Sequence, residues 1–251
     1  MRYFIQFSYF GKAYHGWQKQ PNAITVQEVL QNALSTLLRQ KVEVVGAGRT
    51  DAGVHAREMF AHFDFVEIED SVQLKDRLNA FLPVDIAVQK ITKVKHDAHA
   101  RFDALERTYE YWLVKEKDPF LFDYAHFVKH PVELDAMNQS ANLLSEYTDF
   151  ECFSKSNTDV KTFNCDVRQA HWRKDEKKLV FTITADRFLR NMVRAVVGTL
   201  LEVGMGKMSP NDIHKVIASK DRSKAGVSVP AKGLYLTKVS YPEEIFDEQK
   251  R

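Results

Sequence analysis

Gly46-Ala47-Gly48-Arg49-Thr50-Asp51-Ala52-Gly53-Val54-His55-Ala56 lies between residues 41–45 and 59–65, two stretches whose apolar, alternating character predicts strands. Three glycines fall within eight residues, too many for a regular element to run through. Such backbone can press close to a ligand, because glycine has no side chain and takes positive φ readily. At the centre of the loop the Asp51 carboxylate stands two residues from the Arg49 guanidinium, and His55 closes it. Aspartate is also a turn former in its own right, so residue types alone leave a purely structural turn open. Neither Gly-x-x-x-x-Gly-Lys-Ser/Thr nor a helix-opening Gly-x-Gly-x-x-Gly is present, which argues against a nucleoside-triphosphate site. An acid among bases, on a loop carried by strands, is a common setting for chemistry.

Outward from this loop the chain reads as an α+β protein. On its N-terminal side, Arg2–Tyr9 alternates like a strand with one buried face. Residues 10–20 form a loop of aromatics, amides and cations that includes Trp17 and Gln18. Trp17 is either a plug for the core or a face for stacking on a nucleobase. Thr25 caps a helix to about residue 39, with an apolar stripe at Val26, Val29, Leu30, Ala33, Leu34, Leu37 and Leu38. After the second strand a short helix, 71–81, ends before Pro83, and a strand spans 86–94. The polar stretch 96–103 links two halves, 1–103 and 104–251, and carries Arg101.

In the second half, 106–114 alternates as a strand, with Arg107 near its start and Tyr109 and Tyr111 on one face. A helix over 133–146 follows, then a polar passage through residues 149–158 expected to be a mobile loop. Strands at 165–172 and 178–185 flank a charged hairpin tip. A long helix from Arg187 to about residue 202 would set Arg187, Arg190 and Arg194 on one face. Three guanidiniums there would require carboxylates or phosphates as partners. Ser209-Pro210-Asn211-Asp212 is a helix start. A basic loop over 220–232 and a final strand over 234–239 complete the chain.

Composition bounds the possibilities. With 251 residues, 44% hydrophobic and 28% charged, the chain can build its core without disulfide or metal staples. Cys152 and Cys165 form no CxxC and are expected as reduced thiols, and no His/Cys grouping suggests a metal. A net charge of +2 neither announces nor excludes a nucleic-acid partner, since clustering decides. No run of about twenty apolar residues is present, and the N-terminus alternates instead of forming a signal core. The expected location is the cytoplasm.

Several stretches, in order along essentially the whole chain, resemble the tRNA pseudouridine synthase A family. They are Gly11-x-x-Tyr14-x-Gly16-Trp17-Gln18-x-Gln20, Gly48-Arg49-Thr50-Asp51-x-Gly53-Val54-His55-Ala56, Arg107-x-Tyr109-x-Tyr111, Phe188-Leu189-Arg190-x-Met192-Val193-Arg194-x-x-x-Gly198, Arg222-x-x-Ala225-Gly226 and Pro230-Ala231-x-Gly233-Leu234. The resemblance implies a pseudouridine synthase fold. Its two ferredoxin-like halves would form a continuous, mostly antiparallel sheet with helices packed on it and a central catalytic cleft. It also implies a homodimer that isomerises uridine at positions 38, 39 and 40 of the tRNA anticodon stem-loop, with no cofactor and no membrane. By the same resemblance Asp51 is the nucleophile, Arg190 its partner and Tyr109 the stacking residue. Arg49, Trp17, Gln18, His55, Arg101, Arg107, Arg187 and Arg194 are expected to touch RNA. The competing expectation is a tRNA-binding or chaperone protein without catalysis. A sugar-bond hydrolase ranks last, because it needs a second carboxylic acid that the sequence does not nominate.

Overall fold

Arg2–Tyr9 forms β1, with Tyr3, Phe4, Ile5, Phe7 and Tyr9 in the core; the consecutive burial of Tyr3, Phe4 and Ile5 means that both faces are covered there, not the one face expected. In the computed structural model, which describes residues 1–155 and 160–249, the chain divides into two compact units. The first comprises Met1–Glu106 together with Leu236 onward, and the second comprises Arg107–Tyr235. The expected division at 103/104 lies close to the first boundary. The last strand and tail, however, return to the first unit.

In the first unit β1 pairs antiparallel with β3 (His55–Asp64) on one side and β4 (Ile86–Val94) on the other. Helix α1 (Val26–Leu38) starts at Thr25, whose hydroxyl accepts the Glu28 N–H, and α2 (Ser71–Phe81) starts at Asp70, whose carboxylate accepts the N–H groups of Val72 and Gln73. Each side chain satisfies donors that a helix start leaves open. Phe4, Val94, Ala98, Ala100 and Ile245 make a core cluster on which Phe60, Tyr241 and Phe246 pack.

Residues 41–44, expected as strand, are not one. Only Val45–Gly46 pairs with β3, as the short β2. The backbone just before it is held by side chains of α1. Ser35 Oγ accepts from Val42 N at 3.0 Å, Gln31 Oε1 accepts from Val44 N at 3.3 Å, and Gln27 Nε2 donates to Val44 O at 2.8 Å. The alternation survives, with Val42 and Val44 buried, because one face still meets the core.

In the second unit β8 (Lys178–Ala185) lies between β5 (Glu106–Val114) and β7 (Val167–Asp175), all antiparallel, and β6 (His126–Phe127) adds to β5 in parallel. Helices α3 (Leu134–Leu143), α4 (Met192–Gly204) and α5 (Asp212–Ser219) complete it. The β7–β8 turn is tighter than expected: Asp175 pairs with Lys178, and Glu176 adopts φ 51°. Within the polar passage after α3, residues 151–153 form a 3-10 turn with Cys152 and Phe153 buried; residues 156–159 lie outside the described residues. Cys152 and Cys165 are free and buried, and burial pushes both thiols up to about 12. With β9 (Leu234–Ser240) the strands are mostly antiparallel, and the α+β class stands. Among the described residues no helix is long and apolar enough to cross a membrane.

Candidate active site

The Asp51 loop is built by mutual backbone support with the aromatic loop that follows β1. Ala47 N donates to Phe60 O at 2.8 Å, tying the loop's start to β3. Trp17 N donates to Thr50 O at 3.3 Å, and Gly53 N donates to Tyr14 O at 3.2 Å. Tyr9 OH and Thr50 Oγ1 lie 2.8 Å apart, so both the main chain and the side chain of Thr50 are held. Inside the loop Val54 N reaches Asp51 O at 3.2 Å. Asp51 is thereby fixed at the turn and stays half-buried.

This closeness requires glycine. Gly16 sits at φ +85°, and a Cβ there would lie 2.2 Å from Thr50 O; at Gly11 a Cβ would lie 1.9 Å from Val54 O. The glycines of the first loop thus let the second approach to backbone contact.

Trp17 and His55, both expected to touch RNA, are buried within this scaffold. Trp17 is 2% exposed and packs on Phe7, with ring centroids 5.6 Å apart. His55 is 1% exposed; its Nδ1 accepts Gly11 N at 2.8 Å, and its ring stacks on Phe10 at 4.4 Å. Burial of an imidazole that accepts a main-chain N–H makes it a fastener of the loop.

Arg49 is exposed, and its Nε donates to Gln18 Oε1 at 3.3 Å. The orientation of that amide is set from a distance. Gln27 Nε2 donates to Val44 O, so Gln27 Oε1 must accept, and it does, from Lys19 N at 2.8 Å and Gln18 Nε2 at 3.0 Å. Gln18 is left presenting its oxygen to Arg49. Sequence reasoning named Gln18 but missed Gln27. The available signal was the row Gln27, Gln31, Ser35 at intervals of four on an otherwise apolar helix. Arg101 lies on the exposed turn after β4, its guanidinium 5.6 Å from the Phe102 ring centre.

In the second unit, Tyr109 on β5 is half-buried and meets Phe188 edge-on at 5.2 Å. Its same-face neighbour Tyr111 is fully buried and donates its hydroxyl to Pro230 O at 2.7 Å. That bond and the burial, which raises its pKa, mark Tyr111 as structural. Arg107 donates to Asp186 O at 2.7 Å, and Arg187 reaches Thr162 O at 3.5 Å.

The helix expected from Arg187 begins five residues later, at Met192. Asn191 before it adopts a left-handed conformation, φ 68°, which no helix continues through. Arg187 and Arg190 therefore share no helical face with Arg194. Arg194, on the first turn of α4, donates from Nε to Val229 O at 2.7 Å and accepts Val229 N at 3.2 Å, fastening the 225–230 loop. Arg190 is exposed on the turn before the helix, where its carbonyl accepts Lys155 N at 3.0 Å. Among the described residues no group of three or more His, Cys, Asp or Glu could hold a metal ion.

A family profile described as tRNA pseudouridine synthase matches residues 5–103 and 147–242. The first segment contains the whole Asp51 loop with its supports, and the second contains Arg187, Arg190 and Arg194. Tyr109 falls between them, in a stretch spanned by full-length relatives. The chain is 54% identical over 253 residues to a tRNA pseudouridine synthase A of Bacteroides thetaiotaomicron, covering 100% of this chain and 94% of that protein. It is 54% identical over 248 residues to the one of Bacteroides fragilis, 98% of each chain. A more distant relative of the same name from Syntrophomonas wolfei is 40% identical over 241 residues, 94% of this chain and 96% of that one.

Proposed function

The chain belongs to the tRNA pseudouridine synthase family, and on that premise we propose that it isomerises uridine to pseudouridine at positions 38, 39 and 40 of the tRNA anticodon stem-loop, with Asp51 as nucleophile. The observation that carries this is the setting of Asp51, a half-buried carboxylate on a loop whose flanking residues are tied on both sides by main-chain bonds, next to an exposed guanidinium. A nucleophile held this way loses little freedom when the nucleotide arrives.

The reaction breaks the N1–C1′ bond and forms C5–C1′. N1 gains a proton and C5 loses one, so nothing is consumed. The target base must first leave its stack, at a cost of a few kcal/mol. Arg49, aimed by Gln18, together with Arg101 and Arg187, supplies cations for phosphate contacts that offset this cost. Tyr109 offers its ring to the uracil, which must turn without escaping once detached, and Phe188 props that ring from the edge. Arg190 is assigned as the partner of the nucleophile, since a guanidinium suits a charge-assisted pair with a carboxylate. A cytoplasmic, homodimeric enzyme without a cofactor belongs to the same proposal.

The test uses unmodified tRNA transcripts with chelator present, mapping pseudouridine by carbodiimide-dependent reverse-transcription stops. Wild type should give stops at adjacent anticodon-arm uridines, and Asp51→Asn should lower their rate by about a thousandfold or more. An Asp51→Asn protein at the wild-type rate would remove Asp51 from the chemistry. Tight tRNA binding by wild type with no stops would point to a binding protein instead.

A further inference from the structure

The Arg222-x-x-Ala225-Gly226 stretch stands out in the sequence, yet the reaction outlined above assigns it no task. In the structure it belongs to a clamp on the turn that carries Arg190. Ser228 Oγ accepts two hydrogen bonds, from Asn191 Nδ2 at 2.7 Å and from Arg222 Nη2 at 2.7 Å. A hydroxyl oxygen has two lone pairs, so both are taken and the geometry of the three side chains is closed. Arg222 also donates from Nη1 to Ala225 O at 3.2 Å, fixing the guanidinium within its own loop. The loop is pinned to α4 on either side of Ser228: Gly226 N donates to the buried Thr199 Oγ1 at 2.8 Å, and Arg194 and Val229 exchange bonds.

Asn191 is the residue that matters for Arg190. Its left-handed backbone turns the chain out of the Asp186–Arg190 segment and into α4. It makes no bond to the helix start from its side chain, which is committed to Ser228 instead. On the other side of Arg190, the buried Leu189 anchors the turn through its carbonyl, which accepts Met192 N at 3.1 Å. The exposed Arg190 side chain is thus aimed by a turn whose unusual backbone is held from one direction by this clamp.

The geometry points to Ser228, Arg222 and Asn191 as positioning residues that fix the turn presenting Arg190. This rests on Arg190 acting as the partner of the nucleophile. Removing the hydroxyl leaves both donors without their acceptor and frees the turn, while the substrate-binding cations elsewhere are untouched.

The experiment compares steady-state pseudouridine formation on a tRNA transcript by wild type, Ser228→Ala, Ser228→Thr, Asn191→Gly, Arg190→Lys and the Arg190→Lys/Ser228→Ala pair. Thermal denaturation establishes that each protein is folded. Ser228→Ala should lower kcat about 10- to 100-fold with KM within about threefold, because the lost interaction serves the chemical step. Ser228→Thr, which keeps a hydroxyl, should recover most of that loss. Asn191→Gly keeps the left-handed backbone and loses the bond, and should resemble Ser228→Ala. In the Arg190→Lys background, which keeps a cation but lacks the bidentate group, Ser228→Ala should add less than about twofold. Full multiplication of the two effects, or a loss carried by KM, would overturn the clamp's role while leaving Arg190 in place. An Arg190→Lys protein at the wild-type rate would instead remove Arg190 from the proposed mechanism, and the clamp's role with it.

Discussion

His62 on β3 is 5% exposed, and its Nδ1 accepts the Ala100 N–H at 3.1 Å. Protonating that nitrogen would break the bond inside the core. Burial first, then the His99 ring 4.5 Å away and Arg2, lower its pKa to about 4, against weaker opposing pulls from Asp64 and Asp103. A histidine depressed in the folded state keeps its full stability above its unfolded pKa, about 6.5, and loses it as pH falls toward the folded value. The urea midpoint should therefore fall between pH 7 and pH 5 by the equivalent of roughly 1–2 kcal/mol. His62→Gln, which keeps an acceptor without a titrating ring, should flatten that slope; an unchanged slope would assign the acid sensitivity elsewhere. The same contrast between residue type and placement limits what could be read at the site. The resemblance picked out Trp17 and His55 as RNA contacts, whereas the fold shows both facing inward, on Phe7 and Phe10. Burial follows from what the neighbouring loop supplies, and no local pattern encodes that.

Elements with strong local signals were legible to within a residue or so. Thr25 marks the start of α1 and Pro83 the end of α2, and alternation bounds β1, β4 and β5. Two of the misread elements share a cause, which is side chains from distant residues overriding local preference. Residues 41–44 bond to the polar row of α1, and the start of α4 is delayed by an Asn191 turn clamped from Ser228. The interlock of the loops at 10–17 and 46–54 depends on glycine at 16. Gly16→Ala meets both a positive φ and a Cβ 2.2 Å from Thr50 O, so it should cost about 2–4 kcal/mol and displace Asp51, lowering kcat. Gly206→Ala is the control, since Gly206 has φ +72° with nothing within 4 Å of the added carbon. It should cost only about 1 kcal/mol, the backbone strain alone, and leave kcat unchanged. Denaturation midpoints and kcat measured on both variants check the pair; equal effects would show that φ, and not the backbone contact, is what glycine supplies at 16.

Across the whole molecule, the chain leaves the first unit after Glu106 and returns to it at Leu236, so both termini belong to one unit and the second is inserted between them. The expected outgoing boundary rested on the polar 96–103 stretch. The return was invisible, since β9 reads as an ordinary strand and nothing in its composition says which neighbours it joins. The returning segment is part of the first unit's core: Ile245 is 6% exposed, joins the cluster with Phe4, Val94, Ala98 and Ala100, and its carbonyl accepts Lys95 N at 3.3 Å. Ile245→Ala deletes buried methylenes at the far end of the sequence and should cost the first unit about 2–4 kcal/mol. Native-state hydrogen exchange should then show amides of β1 and β4 losing protection by that amount, while those of β5, β7 and β8 keep theirs if the units open separately. Equal loss in all five strands would mean that the two units unfold as one, and that a single tail residue sets the stability of the whole chain.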